Sequence, residues 1–100
     1  MTGDADEFSL HREMGCTRDE FGRWIPGATR HTPLRIDPDK AVVEIGAGTV
    51  EIFYRQAPPR RIALVSIPVL MVTFRFRRVA ADVRRDFIAY FDLYTNRGGG

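Results

Sequence analysis

One hundred residues, 44% of them hydrophobic, make a single domain with one core: the chain has no room for two and is too apolar to stay disordered. Folding at this size removes roughly 65% of the unfolded chain's surface from water, enough for modest stability without staples. One cysteine, Cys16, excludes an internal disulfide, and the acidic start Met1–Glu7 lacks a signal-peptide pattern, so a reducing cytoplasm is expected.

The longest apolar run, Ile62–Val72, is about half a membrane span and is broken by Ser66 and Pro68, so no membrane partner is expected. The net charge of +2 hides a divided chain. Residues 1–51 carry ten acids and six bases, whereas residues 52–100 carry three aspartates and nine arginines. Such a division marks either an anion-binding face or two halves that neutralise each other when folded. Fourteen of the fifteen basic residues are arginine, a bacterial-like bias that GC-rich coding produces, so it says little about phosphate recognition.

Residues 1–6 and 97–100 read as flexible tails. Phe8, Leu10 and Met14 alternate with Ser9, and Arg12 is assigned to the opposite side, which gives a first strand over 7–14 ended by Gly15. Thr17-Arg-Asp-Glu20 is a capping box, with Asp19 and Glu20 at the positive end of the helix dipole. Phe21, Trp24 and Ile25 give that helix one apolar face over 18–25, and Pro26-Gly27 is expected to stop it. Residues 28–40 show no period and read as a long irregular connection. Strands follow at 41–45 and 49–55 around the hairpin turn Gly46-Ala-Gly48. Ala57-Pro-Pro59 reads as the next turn, followed by strands at 61–66 and 69–77, with Pro68 marking an edge or bend. Leu70, Val72, Phe74 and Phe76 share one face of the last strand, and Arg75 and Arg77 lie on the other. The helix 78–96 turns Val83, Phe87, Phe91 and Tyr94 inward.

The expected fold is α+β: a four- to five-stranded antiparallel sheet in the order β-α-β-β-β-β-α, with a short first helix and a long last helix on one face. That order resembles the helix-grip and TATA-binding-protein-like arrangements, an analogy of element order alone that implies no function.

The chemistry-bearing residues are sparse. His11, His31 and Cys16 lack the spacing of a metal site, and no cofactor is expected. Cys16 sits just before a helix N-terminus, where thiols become reactive, but it also occupies N′ of a hydrophobic staple against Phe21 at N4. The Gly46-Ala-Gly48 group leads into a strand and so cannot hold phosphate on a helix end. Glu44 and Glu51 suit cross-strand ion pairs better than acid–base work. With no catalytic constellation, the expected role is a non-enzymatic protein-interaction module, its partner another protein or a second copy meeting it through an edge strand or the Trp24 surface. A second possibility is a nucleic-acid or anion patch of Arg60, Arg61, Arg75, Arg77 and Arg84. A third is a small apolar ligand between sheet and helix, lined by Trp24, Tyr54, Met71, Tyr90 and Tyr94.

Overall fold

The computed structural model describes residues 7–32 and 34–98. Its elements are β1 (Glu7–Met14), α1 (Arg18–Ala28), β2 (Leu34–Ile36), β3 (Lys40–Ile45), β4 (Gly48–Ile62), β5 (Val65–Arg77) and α2 (Ala81–Gly98). The strands form one antiparallel sheet in the order β1-β5-β4-β3-β2. Of the expected tails, residues 1–6 and 99–100 lie outside the described residues, and residues 97–98 continue α2.

The α+β class and the element order match the expectation, but two strands are redistributed within that order. Three residues of the expected irregular connection form the edge strand β2, paired with β3 from Leu34↔Val43 to Ile36↔Ala41. The strand expected at 61–66 does not exist as a unit: residues 48–62 are one strand, which passes through Ala57-Pro58-Pro59, and β5 begins at Val65. The turn lies at Ala63-Leu64 instead, where Ala63 adopts φ 54. No glycine or asparagine announces that turn, so the proline pair looks like the stronger break.

The first helix runs through its proline. Its capping box forms as expected: Glu20 N–H donates to Thr17 Oγ1 at 3.1 Å, and Thr17 N–H to Glu20 Oε1 at 2.8 Å. The helix continues through Pro26-Gly27 to Ala28. A proline ring crowds the carbonyl four residues back, here that of Gly22, and Pro26 has no N–H to donate to it. Burial of Ile25 and Ala28 offsets the lost hydrogen bond. Gly27 is needed for another reason, since a Cβ there would overlap the Tyr94 ring.

The core lies between the sheet and both helices. Val43, Val50, Ile52, Leu70, Val72, Phe74 and Phe76 form the sheet side, with Phe21, Ile25 and Phe91 over them, all within 1% of full burial. Phe91 meets Phe74 edge-on with centroids 5.0 Å apart, and Phe87 meets Phe76 edge-on at 5.7 Å. Such pairs contribute roughly 0.5–1.5 kcal/mol beyond the area they bury. Arg12 does not take the opposite side from Phe8 and Leu10. It shares their face and makes a two-pronged pair with Asp92, both contacts at 2.9 Å, which ties β1 to α2.

Candidate functional site

The sheet register creates a projection. The partner of β5 on one side, β1, ends at Met14↔Leu70, and β3 pairs with β4 only as far as Lys40↔Phe53. Beyond Ala57↔Val69, β4 and β5 therefore have only each other, through Arg60↔Ile67, Arg61↔Ser66 and Ile62↔Val65. The result is a two-stranded arm, residues 58–67, in a molecule with extents of 51 × 26 × 24 Å. Three prolines sit at its root. Pro58 and Pro59 of β4 bulge opposite Pro68 of β5, where the ladder is interrupted between Ala57 and Arg60. Proline has no N–H to donate, so grouping all three at the break leaves no backbone donor stranded there.

Side-chain braces hold the root on both faces. On the helix side, Gln56 accepts from Arg18 N–H at 2.8 Å and donates to the Val69 carbonyl at 2.9 Å, joining the start of α1 to the start of the sheet proper. On the open side, Arg60 donates to Glu13 at 2.6 Å. That contact also sets the faces of the arm. Arg60, Ile62, Val65 and Ile67 share the side of the open sheet face, and Arg61 and Ser66 lie on the other.

The tip is apolar and uncovered. Leu64 is 103% exposed, Val65 59%, Ile62 56% and Ile67 36%. Isolated two-stranded hairpins are marginal in water, and single exposed apolar residues are ordinary, but four together on a projection are not. Between residues 55 and 67 the charged residues are Arg55, Arg60 and Arg61, with no acid among them.

The five arginines of the expected anion patch do not converge. Arg60 and Arg61 stand on opposite sides of the arm. Arg75 and Arg77 lie on the open sheet face, where both approach Glu7 (3.7 and 3.6 Å) and Arg77 also approaches Glu51 at 3.9 Å. Arg84, on α2, places its guanidinium 3.8 Å above the Phe8 ring.

The five residues of the expected ligand cavity do not line one space: Tyr54 and Met71 border a common hollow with Phe53 and Thr73, and the other three stand elsewhere. Tyr54 is buried, donates to the Asp37 carbonyl at 3.0 Å, and has its pKa raised by burial first and by Asp39 next. Met71 faces the open side of the sheet, paired with Arg55. Trp24 and Tyr94 pack at the margin of the core. Tyr90 alone of the five lines a separate cleft between the end of α1, the end of β3 and α2. Cys16 is buried, and desolvation, followed by the nearby Glu20 carboxylate, pushes its thiol up to about 11. Burial thus keeps the thiol neutral rather than activating it.

The arm is the site that residue-by-residue reading missed. Its one sequence signal is the run Ile62-Ala-Leu-Val65, apolar at every position where a solvated turn would be polar. No helix among the described residues is long and apolar enough to cross a membrane. Comparison with known proteins finds no matching family model, no similar curated protein and no similar solved structure. The helix-grip and TATA-binding-protein-like analogy therefore remains one of element order.

Proposed function

We propose that this chain is a non-enzymatic protein-interaction module whose contact element is the β4–β5 arm. The observation that carries this reading is the fully exposed Leu64 at the tip of a braced projection, flanked by Ile62, Val65 and Ile67. The occupant that fits is a protein groove with an apolar floor and a carboxylate placed to meet Arg61, since Arg60 is already held by Glu13 at 2.6 Å. Insertion suits the dimensions. One face of a ten-residue hairpin falls well short of the roughly 800 Å² per partner that stable complexes bury, so the arm must be enclosed on several sides.

A nucleic-acid role is the weaker reading. Backbone binding calls for a continuous row of cations, and here the arginines are dispersed: Arg75 and Arg77 stand beside the Glu7 carboxylate on the open sheet face, and Arg84 covers Phe8 on the far side of the sheet.

A photo-crosslinking residue placed at position 64 in living cells tests the proposal, with position 85 on α2 as control. A discrete adduct at 64, absent at 85 and lost when Arg61 becomes glutamate, is the expected result. Equal labelling at both positions, or none at 64, would sink the reading. An adduct with the mass of two chains would reassign the arm to a second copy.

A further inference from the structure

At the end of the sheet away from the arm, the cleft between α1, β3 and α2 has a volume of about 150 Å³. We propose that it binds a small monocarboxylate with an aromatic or branched apolar body, the body against Ala28, Ile45, Val83 and Phe87 and the carboxylate on Arg30. This site is independent of the arm.

Three features support the assignment. The first is size and lining. A cleft of this volume, open on one side and lined by Ala28, Ile45, Val83, Phe87 and Tyr90 with Arg30 and Asp86 among its polar residues, has room for a molecule of about benzene's size. The second is the placement of Arg30. Helix α1 ends in a Schellman motif: Arg30 N–H donates to the Gly27 carbonyl at 3.1 Å and His31 N–H to the Pro26 carbonyl at 2.8 Å. The C′ position of that motif needs a left-handed backbone and is usually glycine. Here it is Arg30 at φ 58. The chain thus tolerates a left-handed arginine where glycine would be unstrained, and the side chain lines the cleft.

The third feature is that this arginine keeps its donors. Its guanidinium carbon lies 4.1 Å from the centre of the Tyr90 ring, a contact that uses the ring's π face and none of the guanidinium's hydrogen-bond donors in a conventional bond. The Asp86 carboxylate is 4.0 Å away, beyond hydrogen-bond range, on a side chain that is 74% exposed. Among the described residues no hydrogen bond occupies the guanidinium edge, the edge that receives a carboxylate in two-pronged fashion. Asp86 competes with an anionic ligand, so its removal strengthens binding.

Titration of the isotopically labelled protein with benzoate, benzyl alcohol and benzylamine, followed by amide chemical shifts, tests the proposal. Benzoate is expected to give saturable shifts confined to residues 28–32, 45 and 83–90, and to bind more tightly than the alcohol or the amine. Arg30→Gln should weaken benzoate at least ten-fold with little effect on benzyl alcohol, and Asp86→Asn should tighten benzoate several-fold. Ala28→Leu, which fills the cleft, should abolish both; if that variant fails to fold, Val83→Phe at the rim serves the same purpose. Arg30→Gly separates a binding role from a structural one. It should melt at or above the wild-type temperature while losing benzoate. Tighter binding of benzylamine, an unchanged benzoate affinity in Arg30→Gln, no saturable shifts in the named residues, or a lowered melting temperature in Arg30→Gly would each overturn the assignment.

Discussion

Replacing Phe91 by alanine tests where the core lies, and Leu64→Ala is its matched control. The Phe91 ring is 1% exposed and sits 5.0 Å from Phe74, 5.9 Å from Phe21 and 6.0 Å from Phe87, so it joins both helices to the sheet. Its removal loses the transfer free energy of a buried ring and leaves a void that the aromatic neighbours cannot fill without leaving their own packing. Deletions of this type cost about 3–5 kcal/mol, a large share of the 5–15 kcal/mol typical of a whole domain. For a domain near 100 residues each kcal/mol moves the midpoint by roughly 4–8 °C, so a fall of about 12 °C or more is expected. Leu64 is equally apolar but already fully in water, so its truncation should stay within about 0.5 kcal/mol. Urea unfolding followed by far-ultraviolet dichroism and by Trp24 fluorescence reads both variants. A loss below about 1 kcal/mol for Phe91→Ala, or comparable losses for the two, would refute the placement of the core between α2 and the sheet.

Other substitutions probe single features. Ala63→Gly relieves the left-handed residue of the arm turn at φ 54 and should stabilise the hairpin by about 1 kcal/mol, seen as slower amide exchange at Ile62 and Val65. Gly27→Ala drives a methyl into the Tyr94 ring and should cost about 1–3 kcal/mol, most of it recovered in Gly27→Ala with Tyr94→Leu. Cys16 supplies a pH test. Its thiol rises from the ordinary 9.0 to about 11 in the folded chain, so the neutral form favours folding. The associated stability is complete below pH 9 and is lost as pH rises from about 9 toward 11. Compared with Cys16→Ala, the wild type should therefore lose additional stability on the order of 2 kcal/mol across that window, measured by urea unfolding at pH 8 and pH 11. Alkylation of the native protein at pH 8 should be slow and should accelerate in urea.

The elements legible in the sequence are those in which local chemistry and tertiary packing agree. The alternation of Phe8, Leu10 and Met14 and the stop at Gly15 give β1 the same bounds in the structure. The capping box places the start of α1, and the Leu70-Val72-Phe74-Phe76 face places the core against α2. The errors fall where the two levels diverge. Pro26 is a break by local rule, but Ile25 and Ala28 are worth more buried than the hydrogen bond that proline forfeits. Pro58, Pro59 and Pro68 read as separate punctuation because nothing in the linear order shows that they face one another across a bulge. Arg12 is polar and by local pattern reads as outward, because its partner Asp92 lies eighty residues away. The candidate arm was least legible of all, since its defining property is the absence of neighbours, which only the strand register displays.

That same register explains why an exposed apolar tip coexists with a well-packed body. A strand pair that outruns its neighbours gains no burial and would fray unless its root were anchored, and here Gln56, the Arg60–Glu13 pair and the proline bulge all act within a few residues of the last shared rung. Solubility alone would favour shortening β4 and β5 to the length that β1 and β3 can cover. A longer arm braced on both faces, with apolar groups at its end, is what the proposed contact role calls for. Most of the ordering cost of its backbone is met at folding, so a partner bound there would have little left to order beyond the exposed side chains at the tip.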